Sequence, residues 1–311
     1  MIKAELFSMQ TAFRGEHCIY GYHFGQGEKA ACIVGAMRGN EYQQLYICSI
    51  LSSKLAELEA SGNITNGKEI LLIPCLNSSA MNASHKLWLS DDSDINREFP
   101  GNPAGTATSR IAFKTLDVSR EYQYGIHFPS FYLPGMFIPH VRILETGRES
   151  VNLANLFGLQ CVLLSEPRAY DLHTLNYNWQ QMGTEAFSIY SGGTDHLNQK
   201  YAEIAVSAVL RFLSRMGIIK YNNLSGYISE VMNEDEMTNI KADDAGFLRR
   251  YVGANEEVRR GQKLADIVDP MDGKIRSEVI APGDGIIFFV MDEPMISQNV
   301  TVFKLIRRLH K

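Results

Sequence analysis

Ile33-Val34-Gly35-Ala36-Met37-Arg38-Gly39-Asn40-Glu41-Tyr42 is the stretch on which the fold turns: an apolar run, a glycine-flanked turn, and a carboxylate that opens a helix. A strand handing over to a helix through small residues brings its turn to the carboxyl edge of a sheet, where sites form. Past the turn, Leu45, Ile47, Ile50, Leu51, Leu55 and Leu58 recur near helical spacing up to Ala60, and Ser61-Gly62-Asn63 reads as the stop. Glu41 then stands in the first helical turn, where the helix dipole favours a carboxylate. Before it, Cys18 to Phe24 and Ala30 to Ala36 read as two strands, joined by Gly25-Gln26-Gly27-Glu28-Lys29, whose glycines suit a hairpin.

Working outward, Glu69 to Leu76 is apolar throughout, as expected of a strand in the middle of a sheet covered on both faces. Residues 78 to 110 are polar and irregular, with Asp91, Asp92 and Asp94 leading into Asn96-Arg97-Glu98-Phe99-Pro100-Gly101. So long a loop within a compact domain usually carries function. Ser109 to Glu121 reads as a helix and Tyr122 to His127 as a strand reaching the same edge. Val141 to Glu145, Cys161 to Ser165 and Gly183 to Tyr190 are further strands, and Leu197 to Met216 is a long amphipathic helix. Alternation of this kind indicates an α/β fold with a mixed, mainly parallel sheet flanked by helices. From Gly246 onward the pattern becomes short strands between glycine and proline turns. The expected division is residues 1–220 as an α/β domain and 221–311 as a small all-β domain.

Composition sets the outer bounds. A chain of 311 residues, 45% hydrophobic and 21% charged, can bury a large core. A net charge of −5 and a pI near 5.9 leave no electrostatic footprint for nucleic acid or for an anionic membrane. The five cysteines are odd in number, unclustered and mostly set in apolar runs, as for reduced buried thiols. The first ten residues carry no apolar signal segment, and no run approaches the length of a membrane span. A soluble, cytoplasmic protein is the expectation.

Three stretches, Arg38-Gly39-Asn40-Glu41, Asp94 to Asn102 and Gly125-Ile126-His127, together resemble the zinc carboxypeptidase superfamily in its succinylglutamate desuccinylase and aspartoacylase branch. That branch carries H-G-N-E at the first of them. The resemblance implies the zinc carboxypeptidase fold, with a C-terminal domain like the barrel-sandwich of lipoyl and biotinyl carriers; Val258 to Val268 and Val279 to Ile286 look like its two repeats. It also implies a zinc-dependent hydrolase that cleaves an amide next to a carboxylate. Glu41 and His127 keep two metal-ligand positions, and Asn96 and Arg97 match the pair that binds a substrate carboxylate. From its own place in the sequence, Arg142 reads as a second cationic contact for it, and His140 shares a strand face with Arg142 at period two, so both are expected to line the pocket.

Against this pattern the sequence departs at three places. Arg38 stands where the first histidine ligand belongs, and a guanidinium offers donors only. Tyr190 stands where the general-base glutamate belongs, and with an ordinary pKa near 10 it is a poor base at neutral pH. Gly125 replaces an aspartate that orients the zinc-bound histidine. The spacing therefore predicts an ion pair between Arg38 and Glu41 filling the metal cavity. Two readings follow: a hydrolase of weakened or lost activity, completed by some other ligand to zinc, or a non-catalytic binder of a small carboxylate-bearing ligand in which Arg97 carries much of the affinity. A metal-free enzyme using Arg38 to stabilise an oxyanion is a third. Lys274, in the turn between the β repeats, reads as a turn lysine rather than a carrier attachment site. The β domain reads as a packing or oligomerisation module, and with it a homo-oligomer is expected.

Overall fold

The computed structural model describes residues 1–11, 14–131, 133–222 and 225–307. In chain order the first strands are β1 (Ile2–Gln10), β2 (Glu16–Gly25) and β3 (Gly27–Ala36), followed by helix α1 (Tyr42–Ala60) and β4 (Gly67–Cys75). Next come α2 (Ser78–Asn82), α3 (Ala107–Ser119), β5 (Tyr124–His127), β6 (Gly135–Leu144), α4 (Val151–Ala154), β7 (Cys161–Ser165), α5 (Leu175–Gln181), β8 (Glu185–Gly192) and α6 (Gln199–Arg215). The remainder is all strand: β9 (Glu230–Asn233), β10 (Thr238–Lys241), β11 (Gly246–Arg250), β12 (Glu257–Val258), β13 (Lys263–Val268), β14 (Ile275–Ile280), β15 (Gly285–Met291), β16 (Met295–Ile296) and β17 (Thr301–Ile306).

The main sheet runs β1-β2-β4-β3-β5-β8-β6-β15-β17-β10, with β7 on β6, β9 on β7 and β12 on β15. Its centre is parallel from β4 through β3 and β5 to β8, and β2 and β6 flank that block antiparallel. This is the mixed α/β sheet that the alternation of elements predicts. The hairpin expected of β2 and β3 does not form. Instead β4 lies between them, antiparallel to β2 and parallel to β3. Gly27, at φ +132°, lets the chain step sideways: a Cβ there would sit 2.4 Å from the Gly67 carbonyl oxygen on the incoming strand.

Burial follows the sequence pattern. Every residue of β3 from Ala30 to Ala36 is buried, and Ile47, Cys48, Leu51 and Leu55 of α1 pack on it with Phe157, Phe187 and Phe212 beyond. The opposite face is covered by α3 and α5, with Phe99, Ile111, Leu116 and Trp179 in the core. Residues 221–311, which the sequence sets apart, share hydrogen bonds with the α/β part through β15 on β6 and β9 on β7. A separate four-stranded sheet, β14-β13-β11-β16, packs against that extension. Lys274 is exposed in the β13 to β14 turn, paired with Asp272 at 2.7 Å. Among the described residues no helix is long and apolar enough to cross a membrane.

Candidate functional site

The carboxyl ends of β3, β5 and β8 open onto one cavity of about 260 Å³. Arg38, Asn96, Arg97, His127, Arg142 and Tyr190 all line it, so six of the seven residues singled out in the sequence are brought together. The seventh, Glu41, is sealed behind Arg38 with only 1% of its surface exposed.

The turn after β3 explains Glu41. It is the residue before α1 rather than part of its first turn, and its side chain does not cap the helix. Its carboxylate folds back instead: Oε2 accepts from the backbone N–H of Met37 at 2.7 Å and of Arg38 at 3.0 Å. Oε1 accepts from Arg38 Nη1 at 3.1 Å and from the Ser130 hydroxyl at 2.5 Å. Gly39 is required because a Cβ would lie 2.3 Å from the backbone of Ala80 and of His85.

The Arg38 guanidinium fills the space in front of Glu41. Besides Glu41 it donates to Ser130 Oγ at 2.8 Å and clamps Asp94 through Nε at 3.0 Å and Nη2 at 2.7 Å. Burial works to lower the Arg38 pKa, and the adjacent Glu41 and Asp94 carboxylates outweigh it and raise it, so the cation is permanent. Asp94 and Ser130 are the partners that sequence reasoning missed. Asp94 lies in an aperiodic polar loop and Ser130 beyond the end of β5, where no spacing marks either as a ligand.

His127 is 2% exposed, and its Nε2 is sealed without a partner among the described residues. Burial, and then the positive charge of Arg38, pull its pKa down to about 3, so the imidazole is neutral. The missing partner has a visible cause. At Gly125 a Cβ would fall 2.5 Å from Trp179 Cε3, so the indole occupies the volume an aspartate side chain would need there. Trp179 is held in place by its Nε1–H, which donates to Ser119 Oγ at 2.9 Å.

These residues do not fit zinc. Glu41 has its oxygens committed to four donors, and a guanidinium stands in front of them. His127 lacks the acceptor that would set its tautomer, and no group of three His, Cys, Asp or Glu able to hold a metal ion occurs among the described residues. At the position of the expected glutamate stands Tyr190. Burial raises the pKa of Tyr190 further, and its ring stacks on His140 with centroids 5.2 Å apart. His140 was expected on the cavity face beside Arg142. It is instead fully buried behind Tyr190, the residue directly opposite it across the β6 to β8 ladder.

On the other wall, Asn96 ties the loop down by accepting from the Leu175 N–H through Oδ1 at 3.2 Å. Arg97 donates to the Tyr170 carbonyl at 3.0 Å and lies 4.8 Å from the centre of that ring. Arg142 donates through Nε to Ser165 Oγ at 3.1 Å and through Nη2 to Glu234 at 2.7 Å. Asn176 and Gln180 of α5 add polar groups to the cavity wall that the sequence did not flag.

A family model of the succinylglutamate desuccinylase/aspartoacylase catalytic domain matches residues 28–216. The N-alpha-acetyl-L-2,4-diaminobutyric acid deacetylase of Halomonas elongata is 23% identical over 273 residues, covering 85% of this chain and 77% of that relative. Among solved structures, a succinylglutamate desuccinylase from a Silicibacter species superposes with a TM-score of 0.77 at 20% identity, covering 97% of this chain and 92% of its own. The product-bound ectoine utilization protein EutE (DoeB) of Ruegeria pomeroyi gives 0.76 at 19% identity, covering 96% and 92%. At such identities the structural likeness speaks for the fold alone.

Proposed function

The chain belongs to the succinylglutamate desuccinylase/aspartoacylase family, and from that premise we propose that its cavity binds a small carboxylate-bearing ligand without the zinc-assisted hydrolysis of its relatives. The observation that carries this reading is the Arg38 guanidinium, held between Glu41, Asp94 and Ser130 in the place where the resemblance puts a metal. What remains is the recognition side, Asn96, Arg97 and Arg142 on one cavity. A planar guanidinium is well matched to a carboxylate. An N-acylated amino acid, the class on which the diaminobutyrate relative acts by name, or a dicarboxylate of similar size is the ligand that suits them.

Loss of the metal position and the general base together removes both the group that would activate water and the one that would accept its proton, the base alone being worth about 10² to 10⁴ in rate. Calorimetric titration of the purified chain with N-acetyl-L-glutamate and succinate, alongside an assay for released acetate, tests the reading. Saturable binding with no chelator-sensitive hydrolysis is the expected result. Robust hydrolysis abolished by a chelator would overturn it.

A further inference from the structure

Four charged side chains from distant parts of the chain converge behind one wall of the cavity. Glu234, in the turn between β9 and β10, accepts from Arg142 Nη2 at 2.7 Å and lies 3.5 Å from Lys304 Nζ of β17 and 3.7 Å from Arg168 Nη2. Two buried cations, Arg142 and Lys304, thus face one carboxylate, while Arg168, 54% exposed, reaches it from the surface. The side chains of Arg142, Glu234 and Lys304 are 11%, 12% and 7% exposed. Two buried cations on one buried carboxylate are costly unless a further anion stands near them. The strain falls on Lys304, whose amine burial pulls below the ordinary lysine range.

The two candidate carboxylate anchors are not equally placed to receive that anion. Arg97 is only half-buried and is tethered at one nitrogen, Nη1 on the Tyr170 carbonyl, with its guanidinium over the Tyr170 ring. Arg142 is gripped from behind, by Ser165 at Nε and Glu234 at Nη2, which leaves Nη1 as the edge without an acceptor among the described residues. Phe131, also on the cavity wall, has Arg142 5.6 Å and Lys304 5.5 Å from its ring centre. Of the carboxylates that line the same cavity, Asp94 is paired with Arg38, whereas Asp171 accepts from the neutral backbone N–H of Arg168 and keeps its charge within reach of Arg142.

We propose that Arg142, rather than Arg97, takes the ligand's carboxylate, that Glu234 is the positioning residue that fixes its guanidinium, and that Lys304, held on Glu234, adds positive charge behind the same wall. The inference rests on the carboxylate-binding reading above and makes the C-terminal strands part of the binding site. Titration of the full chain with succinate and with N-acetyl-L-glutamate, in the wild type and in Arg142→Gln, Lys304→Met and Arg97→Ala, tests it. Arg142→Gln weakens binding by about 30-fold or more, the scale for truncating one partner of a buried charge pair. Lys304→Met weakens it by about 5- to 10-fold and makes it less sensitive to salt, while its melting temperature holds or rises, because an apolar chain replaces a half-paired buried amine. Arg97→Ala costs about threefold. A melting temperature that falls together with affinity in Lys304→Met would reduce Lys304 to a structural residue and overturn its assignment. Loss of binding in Arg97→Ala, with Arg142→Gln near wild type, overturns the proposal and leaves the carboxylate reading standing. Failure of the wild type to bind either compound removes both.

Discussion

Arg38→Met isolates what the guanidinium does for the fold. The substitution removes a cation that sits 3.1 Å from Glu41 and 2.7 Å from Asp94, with side-chain exposures of 8%, 1% and 18% for Arg38, Glu41 and Asp94. Asp94 retains solvent and the Asn96 N–H, so its loss is modest. Glu41 keeps its two backbone donors and Ser130 but is left as an uncompensated charge with no access to water. Breaking a buried pair from one side typically costs 3–5 kcal/mol, and the three surviving donors put this case near the lower end, about 3 kcal/mol. At about 2–4 °C per kcal/mol for a chain of a few hundred residues, the melting temperature falls by roughly 6–12 °C. The assay is thermal unfolding at neutral pH of the wild type, Arg38→Met, Glu41→Gln and the double variant. The double variant should recover much of the loss, since an amide in place of the carboxylate leaves no buried charge. A single variant within about 1 °C of wild type, or a double variant no better than the single, would refute the claim that this ion pair takes the place of a metal in holding the site together.

Two other perturbations read different parts of the same structure. His140, fully buried behind Tyr190, has its pKa pulled down by burial to about 3 against an ordinary 6.5. The unfolded chain therefore binds a proton that the folded one refuses between those values. Stability is complete above about pH 6.5 and falls as the pH drops toward 3, and His140→Gln should remove about 1.4 kcal/mol per pH unit of that slope in denaturant titrations. An unchanged slope would mean that His140 is solvated. Gly125→Ala drives a methyl group into the Trp179 ring, which cannot retreat without breaking its bond to Ser119, so a loss of about 1–3 kcal/mol is expected by chemical denaturation. A neutral substitution there would show that the indole does not fill the aspartate's place.

The local grammar of the chain was readable where periodicity and turn chemistry spoke together. The apolar strand through Ala36, the turn at Gly39 and the long helix after Glu41 are where the pattern puts them, because each is decided by neighbouring residues. Strand order was not. A glycine-rich link between β2 and β3 looks the same whether the strands pair or let β4 in between, and only the contact of Gly27 with Gly67, 40 residues away, distinguishes the two. β1 was overlooked altogether, since it lies at the sheet's edge on β2 and is half-buried, without a strong apolar run. At the site, the Arg38 to Glu41 pair follows from a spacing of three residues. Asp94, Trp179, Glu234 and Lys304 meet their partners across 54 to 92 residues of chain, and no local signal announces such encounters.

Zinc content after purification without chelator, measured by mass spectrometry on the wild type and on Arg38→His, bears on the central claim most directly. Arg38→His removes the cation and restores a set of two histidines and a glutamate, the donor combination that suits hydrolytic zinc. The wild type should carry far less than one zinc per chain and the variant should approach about one. A wild type that retains about one tightly held zinc per chain would contradict the account, because the ion would then have to displace the guanidinium from Glu41.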